Sequence, residues 1–329
     1  MTTLETTRLL VIGAGVNGAI CAVGLHQAGF NVTVLARGQR YADLQKDGII
    51  IDDQLTHKRT VTRVPLVDRL DPADRYDYIL VAVRRSQVAG LLPTLAQNVS
   101  PNVVCMVNNL AGPDEYVAAL GKERVLLGFG FGAGRREGGV IRGMAATGGW
   151  LRLVATPFGE VDGAITPRLT RLVAILKQAG FNARVSRQMP DWQASHAILL
   201  PSLALPIMRH KLDVRALVKA DADLRLMVDS MPEALDVLHA AGYHLVPGTT
   251  GVVRWVPRGL MRALLRWALP TRFMEMGGLW HISQAPDEML ELARELQALV
   301  DKAGLPVPHL RQVLAMVPPL AGPREASHA

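Results

Sequence analysis

Residues 8–18, RLLVIGAGVNG, constrain this chain more than any other stretch. An apolar run at 9–12 leads into Gly13-Ala14-Gly15-Val16-Asn17-Gly18, and a helix-like AICAVGLHQAG follows. In such a strand–turn–helix each glycine has its own task. Gly13 permits the tight turn, Gly15 lets the backbone approach a pyrophosphate, and Gly18 lets the helix lie close to the strand. The unpaired N–H groups at the helix start then face phosphate charge. A GxGxxG pattern alone is weak evidence. Here a second β-like run, NVTVLAR, begins after Gly29 and completes the unit. Residues 13–18 are therefore candidate contacts for a dinucleotide.

The second run separates the two nicotinamide dinucleotides. Chains that bind NAD usually place an Asp or Glu about 20 residues after the motif, where it accepts from the ribose 2′-OH. Ala36-Arg37 stand there, with Gln39 and Arg40 just beyond and no carboxylate before Asp43. An arginine fork suits a 2′-phosphate, with which it makes charge-assisted, bidentate contacts. NADP(H) is the expected cofactor, and Arg37 its expected 2′-phosphate contact.

A chain of 329 residues, 49% hydrophobic and 20% charged, has room for two domains with separate cores. Its net charge of +7 comes mostly from scattered arginines without basic runs. That pattern argues against nucleic acid and suits a small anionic ligand. Cys21 and Cys105 read as small core residues, so neither a disulfide nor a metal site is expected. The N-terminus lacks a basic leader, and apolar runs such as 197–208 hold prolines and are too short for a bilayer. A cytoplasmic protein without a membrane partner is expected; a homodimer stays open.

Along the first half, RLLVIGAG, NVTVLAR, THKRTVTRVPLV, DYILVAV, NVVCMVNN and RVLLGFGFG are β-like, with helical segments such as 87–97 and 113–120 between them. The alternation predicts an α/β fold: an N-terminal Rossmann-type, doubly wound, mostly parallel sheet. GGVIRGMA and WLRLVAT read as an antiparallel extension. After a helix at 167–179 and the strand FNARVS, the texture becomes helical, with apolar spacing of three and four over 192–208, 221–241, 260–267 and 287–303. The expected division is a cofactor-binding domain, 1–188, and an all-helical C-terminal domain, 189–329. The apolar segment 251–280, with Trp255 and Trp267, could line a substrate pocket or a subunit interface.

Several blocks together carry a resemblance. They are GAGVNG at 13–18, Arg37, DYILVAVRRSQV at 77–88, VVCMVNNLAG at 103–112, LLGFGFGAGRREGGVI at 126–141, PFGEVDG at 157–163, DWQASHAILLPSLALPI at 191–207 and the closing KAGLPVP. In their order and spacing the chain resembles the ketopantoate reductase (2-dehydropantoate 2-reductase) family. The resemblance implies NADPH-dependent reduction of a small 2-oxo acid. The family's Lys at the end of the fourth strand is Arg84 here, which keeps the charge but not the geometry. Gln87 matches a family Gln. Asn108 matches an Asn that contacts cofactor and substrate, and Ala133 in the glycine-rich block is carried over as a cofactor contact.

The departure lies in the linking helix. The family has an acid-catalyst Lys shortly after a Trp, and an Asn one turn later. Aligned on Trp192, these become Ala194 and Ile198, and neither can donate a proton. A second family Asn falls at Ser202. His196 is the nearest titratable group, although a helix turning about 100° per residue should aim it away from the Ala194 face. Glu288 aligns with a Glu that orients the substrate hydroxyl; it equally suits a helix's first turn through the dipole. The expected catalytic set is thus His196, Glu288, Asn108 and Ser202. Two alternatives stay open: an NADPH-binding sensor with little turnover, favoured by the apolar residues at 194 and 198, and an opine-type reductive aminase.

Overall fold

Apolar, β-branched runs bounded by Gly, Asp and Pro become two sheets in the computed structural model, which describes residues 6–145 and 155–317. In chain order the strands are β1 (Arg8–Ile12), β2 (Asn31–Leu35), β3 (Ile49–Asp53), β4 (Arg59–Thr62), β5 (Leu66–Val67), β6 (Tyr78–Val81), β7 (Val103–Cys105), β8 (Val125–Gly128), β9 (Gly132–Glu137), β10 (Val140–Ala145), β11 (Thr156–Glu160) and β12 (Ala183–Val185). The larger sheet has the order β12-β11-β8-β7-β6-β1-β2-β5. Its pairs are parallel except β11 with β8.

Strand order reverses at β1. The chain steps outward to β2 and β5, then returns to lay β6 on the other side of β1. Doubly wound sheets leave their ligand crevice at such a point, beyond the carboxyl ends of the two strands. Alternation along β1 covers both faces. Leu9 and Val11 pack with the helices Val16–Gln27 and Pro167–Gln178, while Leu10 and Ile12 pack with Val88–Gln97 and Asp114–Leu120.

The smaller sheet, β4-β3-β10-β9, corrects the expected antiparallel extension. GGVIRGMA does not join the main sheet. It pairs antiparallel with β9 across a Gly138-Gly139 turn whose residues both have positive φ, the conformation a two-residue hairpin needs. β10 also runs parallel to β3, a strand that the periodicity missed. Two runs read as single strands are each divided between the sheets: RVLLGFGFG into β8 and β9, and THKRTVTRVPLV into β4 and β5. Pro65, which has no N–H for a ladder, precedes β5. β11 is the strand that extends the main sheet, and most of WLRLVAT lies outside the described residues.

From Met189 onward the described residues form helices and no strand. Leu205, Leu224, Leu235, Leu292, Leu296 and Leu310 centre their core. The expected helix at 192–208 is two helices, Met189–Ala197 and Leu200–Arg209. Pro201 opens the second, where a missing N–H costs no helical bond. Trp255 and Trp267 are 85% and 75% exposed, so of segment 251–280 only Gly277 reaches the cleft described below. No helix among the described residues is long and apolar enough to cross a membrane.

A buried ion cluster joins the sheet-bearing and helical halves. Arg85 meets Glu295 at 2.6 Å and Glu115 at 2.5 Å, and Glu295 also accepts from the Leu110 amide at 2.9 Å. Arg85 and Glu295 side chains are each under a tenth exposed. Opposite charge outweighs burial and raises the guanidinium pKa, so Arg85 stays charged.

Candidate active site

A cleft of about 830 Å³ opens at the crevice beyond β1 and β6 and continues to the helical half. Gly13, Ala14, Gly15, Val16 and Asn17 form one wall. Gly13 has φ +102°, and a Cβ there would sit 2.5 Å from the Ala82 carbonyl oxygen. Gly15 borders open space, the room a closely approaching phosphate requires. Gly18 lies outside the cleft: a Cβ there would collide with the Gly13 carbonyl, so its task is the close packing of helix on turn. Asn17 is committed to structure. Its Oδ1 accepts from the amides of Phe131 and Gly132 at 2.9 and 3.1 Å, tying the glycine turn to the start of β9. Ala133, on β9, also lines the cleft.

At the end of β2 the cleft is lined by three arginines, Arg37, Arg40 and Arg136. Arg37 is exposed at the start of the helix Gly38–Asp47. Arg40 donates from Nε to the Ala14 carbonyl at 3.1 Å and from Nη1 to the Gly139 carbonyl at 2.9 Å. Its Nη2 is buried without a hydrogen-bond partner. Burial, and secondarily the Arg136 charge, lower the Arg40 pKa. A buried donor left open beside a second cation is a vacancy for an anion. The sequence showed Arg40 only as the residue three beyond Arg37; Arg136 becomes a neighbour through the β9–β10 hairpin.

The far end of the cleft joins residues from four elements. Asn108 follows β7, Glu288 opens the helix Pro286–Ala303, His281 lies on the short helix Trp280–Gln284, and His196 lies on Met189–Ala197. Asn108 Nδ2 donates to Glu288 Oε1 at 3.1 Å, and Glu288 Oε2 lies 3.6 Å from His281 Nε2. Burial raises the Glu288 pKa, opposed by the His281 charge and the Asn108 hydrogen bond. Asn108 Oδ1 and His281 Nε2 are buried and have no hydrogen-bond partner. One can accept and the other can donate, so the floor is built to receive a polar group.

His196 stacks on Trp192, with planes 3° apart and centroids at 5.3 Å, and meets the edge of Phe129 at 4.4 Å. Its ring is exposed on the cleft side and held by these two aromatic rings. Partial burial and the His281 charge lower its pKa to about 4, favouring the neutral form. Ala194 and Ile198 are buried in the helical core, so the cleft-facing position of this helix is His196. Alignment on Trp192 put the matching position at Ala194, two residues before the one that lines the cleft. Ala194→Lys is therefore expected to bury an ammonium at a cost of several kcal/mol. Lower thermal stability without added turnover would bear this out.

Two sequence expectations meet other surroundings. Ser202 is fully buried and does not line the cleft, because it lies within the second of the two helices. Arg84 lines the cleft, but its guanidinium is engaged: it bonds Asp287 Oδ1 at 3.1 Å and the Gln284 carbonyl at 2.5 Å. Ser86 Oγ also donates to Asp287, at 2.6 Å. Arg84 thus bridges the two halves. His281, seven residues before Glu288 in the chain, also belongs to the floor. A π-helical turn, Glu275–Leu279, precedes it and shifts the register that periodicity assumes.

Together these features define a Rossmann-type fold with a helical C-terminal region closing its cleft. Residues 9–153 match the family model of ketopantoate reductase PanE/ApbA. Similar solved structures include 2-dehydropantoate 2-reductase from Methylococcus capsulatus (20% identity, TM-score 0.70, covering 94% of this chain and 95% of that one). The PanE/ApbA family ketopantoate reductase from Ralstonia eutropha JMP134 has 19% identity and TM-score 0.72, covering 94% and 97%. D-mandelate dehydrogenase with NADH and anilino(oxo)acetate has 15% identity and TM-score 0.73, covering 94% and 96%. No curated protein matches the chain significantly.

Proposed function

We propose that this protein is an NADPH-dependent reductase of a small 2-oxo acid, with residues 1–188 holding the cofactor and 189–329 closing over the substrate. The observation that carries the reading is a single cleft with an open arginine donor at one end and an unsatisfied polar floor at the other. The residues present fit a dinucleotide: Gly13 to Val16 for the pyrophosphate, Arg37 and Arg40 for a 2′-phosphate, Ala133 and Asn108 toward the nicotinamide. Bound there, the reduced nicotinamide supplies a hydride.

The chain supplies position and polarity. Asn108 is fixed by Glu288 and keeps Oδ1 free to accept from cofactor or substrate. Glu288, nearly sealed from water, orients a hydroxyl or imidazole beside it. His196, neutral and braced by Trp192 and Phe129, offers a hydrogen bond rather than a full proton.

NADPH consumption by the purified protein against ketopantoate and a panel of 2-oxo acids, with and without amines, tests this reading. Turnover on at least one 2-oxo acid without amine is expected. Turnover only with amine would replace the reading by reductive amination, and cofactor binding without turnover on any substrate by the sensor.

A further inference from the structure

We propose that His281 is the proton donor to the substrate oxygen, with Glu288 as the residue that positions its imidazole. The proposal rests on the reductase reading above. Three observations select His281. Its Nε2 is buried without a hydrogen-bond partner although the residue lines the cleft. Glu288 Oε2 stands 3.6 Å from that nitrogen, close enough to stabilise an imidazolium yet too long for a direct hydrogen bond. A bound oxygen can therefore take the nitrogen's hydrogen without displacing a protein partner.

The third observation is how firmly the position is held. Trp280, its chain neighbour, is clamped between the guanidinium groups of Arg135 and Arg272, 4.6 and 5.1 Å from the ring. The Trp280 indole N–H also donates to Glu275 at 3.2 Å. These contacts anchor the helix that carries His281 and follow directly on the π-helical turn, a distortion often found at functional sites. His196 is the other imidazole in the cleft, and its aromatic enclosure favours the neutral form.

The step balances simply. A C–H bond forms at the carbonyl carbon with the hydride pair of the reduced nicotinamide, and the C=O π pair moves to oxygen. The O–H bond forms as the His281 Nε2–H bond breaks, and solvent at the exposed side of the ring restores the proton. Charged groups around this imidazole are Glu288 and Asp287 on the following helix, Arg84 paired to Asp287, and His196 across the cleft. Arg135 and Arg136 on β9 and Glu275 in the π turn complete the set.

The test compares wild type with His281→Gln. The variant should keep NADPH affinity and KM within about threefold and lose roughly 100-fold or more in kcat. A second readout is independent of turnover. Imidazole resonances of His281, assigned by their absence in the variant, should shift when oxamate is added to the NADPH-bound wild type. A variant with wild-type kcat, or His281 resonances unmoved by bound oxamate, overturns the proposal and leaves the reductase reading standing. A wild type that neither reduces a 2-oxo acid nor binds oxamate overturns both.

Discussion

Arg37→Asp is expected to weaken NADPH binding by roughly 10- to 100-fold, because a hydrogen bond to a charged group contributes about 1.5–3 kcal/mol and about 1.4 kcal/mol is tenfold. NADH, which lacks the 2′-phosphate, should lose little, and its ribose 2′-hydroxyl gains an acceptor. Fluorescence titration with both cofactors checks the contrast. Arg40→Ala should behave differently. That side chain also braces the Ala14 and Gly139 carbonyls, so both cofactors should bind less well. Raised salt should weaken NADPH binding more than NADH binding, since Arg37 is exposed and its field is screened. Equal losses for the two cofactors in Arg37→Asp would remove the 2′-phosphate assignment.

The second large effect concerns the joint between the halves. Glu295→Ala leaves the Arg85 guanidinium buried, with only the more exposed Glu115 as an ionic partner, and also frees the Leu110 amide. Breaking a buried pair from one side costs about 3–5 kcal/mol. Urea unfolding should show that loss, and the thermal midpoint should fall by roughly 6–20 °C, at about 2–4 °C per kcal/mol. Removing both charges, as in Arg85→Met with Glu295→Gln, should recover part of the loss, since no uncompensated ion remains. A loss below about 1 kcal/mol in Glu295→Ala would show that the pair is solvated and does not hold the halves together.

The sheet and its glycine turn were legible because their signals are local. Gly13 needs positive φ, Gly18 must lack a Cβ, and the apolar runs of β1, β6 and β7 alternate with helices. The second sheet was hidden because β3 ends in acidic residues and β9 follows β8 after only three residues. Nothing in a period-two pattern says which sheet a strand joins. In the candidate site, Asn108 and Glu288 were reached through the family pattern, and His196 as the titratable group nearest the missing Lys. The π-helical turn before His281 breaks the periodicity that would have assigned its face from sequence. Ala194 and Ser202 show the opposite case: alignment to the family pattern matched them to polar family positions, and both are buried in the helical half.

Hydride transfer itself is the most direct test of the account. NADPH carrying deuterium at the transferable C4 position would be incubated with the purified protein and each 2-oxo acid, and the 2-hydroxy acid analysed by mass. The account predicts a product with deuterium bound at the former carbonyl carbon, formed by wild type and strongly reduced in His281→Gln. Saturable binding of NADPH with no labelled product from any 2-oxo acid would contradict it and leave a cofactor-binding protein that does not catalyse this reduction.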